Sequence, residues 1–97
     1  MDILRREALA AQALPGRIIT KCVGGDGPSI SRKMTVGFGR YCREAGPMEP
    51  HRHAEETVFI VDARHARVRY GASRERMDRV EPLVAGMVLH IPEMEWH

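Results

Sequence analysis

Apolar and polar residues alternate with a period of two in several short stretches of the chain. The clearest runs from Ser29 to Arg43, "SISRKMTVGFGRYCR", where Met34, Val36 and Phe38 fall on one side and Lys33 and Thr35 on the other. Gly37 and Gly39 within it predict a bulge or the close approach of a neighbouring backbone. "RIITKCV" ahead of it is β-branched and strand-like, and Gly24, Gly25, Gly27 and Pro28 force a turn between the two. Three further strands are predicted at "TVFIVDA", "ARVRYG" and "GMVLHIP", with "EAGPMEP" a loop and "ASRERMDRVEP" a polar turn ending in Pro82. The N-terminal "DILRREALAAQAL" is rich in helix formers, but Ile3, Leu4, Leu9 and Leu14 make no clean stripe. Only a short helix is expected there, ended by Pro15-Gly16. Short strands at regular spacing between Gly and Pro turns predict an all-β barrel or sandwich.

Composition narrows the class without naming a function. The chain has 97 residues, enough for one small domain spanning 1–97. It is 43% apolar but only 5% aromatic, so Val, Ile, Leu and Met must fill the core. The formal charge of +2, with acids and bases interleaved, predicts neither a nucleic-acid partner nor an anionic membrane surface. No apolar run is long enough to cross a bilayer, and charges stand where a signal peptide needs its apolar stretch, so a cytoplasmic location is expected. Cys22 and Cys42 lack a C-x-x-C partner and are expected to be free, half-buried thiols.

The chemistry concentrates in "PHRHAEETVFIV", Pro50 to Val61. In an extended chain, residues two apart share a face, so His51 and His53 send two imidazoles into one space, a compact way to supply two metal nitrogens. A turn near Ala54-Glu55 would bring Glu56 to the same space, with Val58 and Ile60 on its face of the next strand. The alternative register turns Glu55, Thr57 and Phe59 inward instead. The other histidine-bearing stretch is "GMVLHIPEMEWH", in which Gly86 leads a strand, Pro92 stops it and His97 follows five residues later. Taken alone, His97 reads as a solvated histidine.

Together the two stretches resemble the cupin superfamily. Its first motif, Gly, short spacer, His-x-His, Glu, six residues, Gly, is matched by Gly46, "PMEPHRH", Glu56 and, in the last position, Ala63. Its second, Gly, five residues, Pro-x-Gly, two residues, His, is matched by Gly86, "PEM" and His97, with Met94 in place of the usual glycine. The spacer between His53 and Glu56 is one residue short. The resemblance covers Gly46 to His97, with residues 1–45 as N-terminal strands. It implies a small jelly-roll-like β-barrel in which His51, His53, Glu56 and His97 converge on one divalent transition metal. Three imidazoles and a carboxylate suit iron, manganese, nickel, cobalt, zinc or copper better than magnesium or calcium. It also implies a small-molecule ligand and, for an enzyme, oxygenase, isomerase or lyase chemistry. The fold does not choose among these.

Glu55, Tyr41 and His90 are the candidates for proton transfer. His90 shares a strand face with Val88, and either lines the pocket or faces outward. Arg64, Arg67, Arg69, Arg74, Arg76 and Arg79, interrupted by acids, predict a solvated hairpin. Trp96 either walls the pocket or plugs an interface. The resemblance implies further barrel strands after the second motif, which do not occur before His97. Three expectations follow: a truncated chain, closure by the strands near "RIITKCV", or a homodimer with exchanged strands.

Overall fold

A computed structural model describes all 97 residues. Its elements are strands, covering 39% of the chain, with almost no helix. The chain forms two units, Met1–Glu49 and Pro50–His97.

In the first unit, β1 (Gln12–Leu14), β2 (Arg17–Gly24), β3 (Ser29–Ile30) and β4 (Val36–Arg40) make one sheet. The expected N-terminal helix does not form. Arg6–Ala8 is a single 3-10 turn, and Gln12–Leu14 pairs antiparallel with β2, Leu14 opposite Arg17. The reason lies in Pro15-Gly16, which closes a two-residue hairpin rather than merely stopping a helix. Gly16 has φ +80, the left-handed value that the third residue of a Pro-Gly type II turn requires. Once that turn forms, ladder hydrogen bonds to β2 outweigh the weak helix preference of "AQAL". A side chain at Gly16 would also meet Met48 Sδ at 2.8 Å. Gly16→Ala is therefore expected to cost about 1–3 kcal/mol through strain and overlap, read as a lowered midpoint in urea at unchanged slope.

β4 lies antiparallel to β2, and the register slips by one residue between Lys21 and Val23, leaving Cys22 as the extra residue. Cys22 turns inward and is 6% exposed; both cysteines are free. The close approach expected at Gly37 is present, since a Cβ there would sit 2.8 Å from the Thr20 carbonyl oxygen. Lys21 hydrogen-bonds Asp26 of the glycine turn and holds its carboxyl below the usual carboxylate range.

In the second unit, β5 (Glu56–Phe59) pairs with β8 (Val88–Ile91), and β6 (Arg67–Tyr70) pairs with β7 (Arg79–Pro82), all antiparallel. β7 is a correction, because "ASRERMDRVEP" was expected to be turn throughout. Its last four residues are strand, since Val80 and Glu81 stand opposite Arg69 and Val68 while Pro82 closes the ladder at its end. The arginines of this hairpin are exposed, as expected. The ladders form separate sheets and do not close into a barrel. No helix is long and apolar enough to cross a membrane.

Candidate metal centre

The two histidine-bearing stretches are the arms of one antiparallel ribbon. The β5–β8 ladder pairs Glu56 with Ile91 and Phe59 with Val88. Beyond β5 towards the N-terminus it continues through Met94 N–H to the His53 carbonyl, 2.8 Å, and ends where His51 and His97 exchange both backbone hydrogen bonds, 2.9 and 3.0 Å. Residues paired in that way stand directly opposite each other. Between Ile91 and His97 the pairing shifts by one residue, and Met94 takes up that shift in the left-handed region, φ +64. The shift aims His97 at the side of the ribbon that carries His51 and His53.

The three imidazoles meet there. One ring nitrogen from each of His51, His53 and His97 lies within 4.8 Å of the others. Ring centroids are 4.4 Å apart for His51–His97, 4.8 Å for His53–His97 and 5.3 Å for His51–His53. Nitrogens bound to one first-row ion at about 2.1 Å stand roughly 3–3.5 Å apart, so ring rotations of about 1 Å close the set.

The tautomers point the same way. His97 Nδ1 donates to the Glu95 carbonyl at 2.9 Å, which leaves Nε2 as the lone-pair nitrogen. That Nε2 is buried and has no hydrogen-bond partner. An unpaired buried acceptor costs about 1–3 kcal/mol, and an ion at that position removes the cost. His53 Nδ1 likewise donates to the Ala54 carbonyl at 2.7 Å, and its Nε2 faces Glu56 Oε2 at 3.3 Å. A neutral His53 would aim a lone pair at a carboxylate, so this contact calls for a proton or a metal ion between them. Backbone carbonyls that hold a ligand histidine through its other nitrogen set the ring orientation and keep it basic.

Glu56 thus joins the cluster through His53, in the first of the two registers considered above. Val58 and Ile60 on its face are half-buried, whereas Thr57 and Phe59 are exposed. Of the proton-transfer candidates, His90 is among the residues lining the cleft beside His97. His90 stands opposite Thr57 on the other face of the ribbon and bonds Glu55 Oε1 through Nε2 at 2.7 Å. Tyr41 belongs to the first unit and is 62% exposed.

Two residues matter here that sequence reasoning passed over or placed differently. Arg52, the middle residue of His-x-His, stacks its guanidinium 5.1 Å from the centroid of the Trp96 ring. Both alternate along their arms with histidines of the cluster, so this pair lies on the other side of the ribbon from the three rings. Their signal was the odd position of each motif, visible only once the two arms were known to pair. Gly71 N–H donates to the Trp96 carbonyl at 3.0 Å and ties β6 to the His97 arm. A cleft of about 250 Å³ adjoins His97, lined among others by Val68, Tyr70, Glu81, Leu89, His90 and Ile91. No family model, curated protein or solved structure matches the chain.

Proposed function

We propose that this chain is a divalent-metal-binding cupin, acting as a small metalloenzyme of oxygenase, isomerase or lyase type on a small polar molecule. The observation that carries the metal reading is His97 Nε2, a buried lone pair without a partner, set against two more imidazoles from the facing arm. His51, His53 and His97 would hold the ion, with Glu56 supplying a fourth ligand and the negative charge. A bound first-row ion there supplies a Lewis acid with up to two positions open to water, dioxygen or a chelating ligand. The cleft beside His97 offers room for that ligand.

Backbone conformations support the cupin part of this reading. The leading glycines of both motifs, Gly46 and Gly86, have φ +80 and +91, and Met94 at the family's second glycine position has φ +64. The same unusual conformations are therefore adopted where the family places glycine, one of them by a residue with a side chain.

A second reading, a non-catalytic small-molecule-binding cupin, is favoured by one observation. Glu55 and His90 bond each other at 2.7 Å, so each already has a partner other than a ligand at the ion. Elemental analysis of untagged protein, prepared without chelator, tests the shared part of both readings. Near-stoichiometric iron, manganese, nickel, cobalt, zinc or copper is expected at pH 8. Much less is expected at pH 5, because a ligand imidazole must be neutral and the ordinary imidazole pKa is about 6.5. No metal after reloading at pH 8 would sink the metal reading.

A further inference from the structure

A second cleft lies wholly within the first unit and shares no residue with the histidine cluster. Its floor is one face of the β2–β4 ladder. Ile18 stands opposite Arg40, and Thr20 stands opposite Phe38. Residues two apart on a strand share a face, so these two cross-strand pairs lie side by side. The wall is the N-terminal segment, tied down at both ends. Ser29 Oγ donates to Asp2 Oδ2 at 2.7 Å, and Gln12 pairs with Ile19. Between those ties the Arg6–Ala8 turn borders the cleft but buries none of its own residues. A space of about 370 Å³ stays open there, within the usual range for small-molecule sites.

The lining sorts into an apolar body and a charged rim. Leu9, Ile18 and Phe38 supply the apolar part, and Thr20 brings a hydroxyl into the floor. Arg6 holds its guanidinium over the Phe38 ring, 5.0 Å from the centroid. A planar guanidinium can stack on a ring and bind a carboxylate through its N–H edge at once. Arg40 is the second cation of the cleft, and neither arginine is held in an ion pair. Glu44, outside the cleft, engages Arg40 only weakly. Its carboxyl lies below the usual range first through its own backbone hydrogen bond, then through Cys42, with Arg40 contributing least. Against the two guanidiniums the cleft sets one carboxylate, Glu7, so one positive charge is unmatched.

We propose that this cleft binds a small organic monoanion with a flat apolar body, an aromatic monocarboxylate. The ring lies against Phe38, Leu9 and Ile18, and the carboxylate accepts charge-assisted hydrogen bonds from Arg6 and Arg40. The single unmatched charge selects a monoanion over a phosphate dianion. This site stands whether or not the histidine cluster binds metal.

Amide NMR of the full chain, titrated with trans-cinnamate, reads the outcome. The protein is first treated with chelator and dialysed, so that no bound metal offers the carboxylate another site. A dissociation constant below about 1 mM is expected, with the largest shifts in β2 and β4. The neutral cinnamamide is expected to bind about 10-fold or more weakly, and phenyl phosphate no more tightly than cinnamate. Arg6→Met and Arg40→Met keep an unbranched apolar stem and lose the donors, and each is expected to weaken cinnamate about 10-fold or more. Arg43→Met removes the same charge from an exposed turn outside the cleft and is expected to change affinity by less than about twofold. Arg6 lies outside every strand, so Arg6→Met carries the reading if Arg40→Met fails to fold. Four results would each overturn the proposal: no binding of cinnamate up to about 5 mM, an amide that binds as tightly, a phosphate that binds more tightly, or losses in Arg6→Met and Arg40→Met no larger than in Arg43→Met.

Discussion

His97→Ala is expected to bind its metal about 100-fold or more weakly than the wild type, with the same β-sheet circular dichroism. Structural zinc sites with four ligands yield about 10–16 kcal/mol, or about 3 kcal/mol per ligand, so one lost imidazole is a large fraction of the affinity. The fold should tolerate the change because His97 holds the ribbon through its backbone, in the paired hydrogen bonds to His51, and alanine keeps both. The sign of the stability change then depends on metal. In chelator, the variant removes a buried nitrogen that has no partner, so it should melt no lower than the wild type on this account. With metal at 100 times its dissociation constant, the wild type gains about 2.7 kcal/mol and the variant almost none. His51→Ala/His53→Ala should abolish binding altogether. Glu56→Gln should weaken binding while leaving the three imidazoles in place. Thermal melts with and without metal, beside metal analysis of each variant, check the set. A His97→Ala protein that keeps its full metal content would move the site away from this cluster.

Gly71→Ala is expected to be the most damaging small substitution outside the cluster. Its Cβ would overlap the Arg76 carbonyl oxygen and come within 2.8 Å of Met77 Cα, where the chain folds back between Ser73 and Arg76. Both obstacles are backbone, so relief requires moving the turn, at about 2–3 kcal/mol. For a chain of this size that lowers the melting temperature by roughly 10–20 °C. The Gly71 hydrogen bond to Trp96 carries the disturbance to the residue before His97, so metal affinity should fall as well. Melting within a degree or two of the wild type, with unchanged metal affinity, would show that the turn moves freely and that His97 is set by its own arm alone.

Most strands were legible from local pattern. The β-branched "RIITKCV", the apolar core of "TVFIVDA" and the stretch after Gly86 became β2, β5 and β8, because period-two alternation between Gly and Pro turns is a local property. Two segments were not. "QAL" became strand because a Pro-Gly turn supplied a partner, and Arg79–Pro82 became strand because β6 lay beside it. In both, pairing with the neighbouring strand overrode local preference, across the two-residue Pro-Gly turn for "QAL" and across residues 71–78 for Arg79–Pro82. The long alternation from Ser29 to Arg43 was only half realised. It broke between Ile30 and Val36, and the residues expected to bury one side, Met34, Val36 and Phe38, are exposed.

Local spacing accounts for two of the three clustered imidazoles and half of their geometry. His-x-His places His51 and His53 on one side of any extended chain, because side chains alternate at every residue. It could not place His97, which taken alone was a solvated histidine. The tertiary structure decided that, through a ladder joining residues 46 apart in the chain and a one-residue shift at Met94 that turns the ring toward the other two. It also decided that Glu55 and His90 close on each other and leave Glu56 to His53. Spacing along one strand is set by bond geometry, whereas which strand lies opposite, and in which register, is set by the burial of both at once.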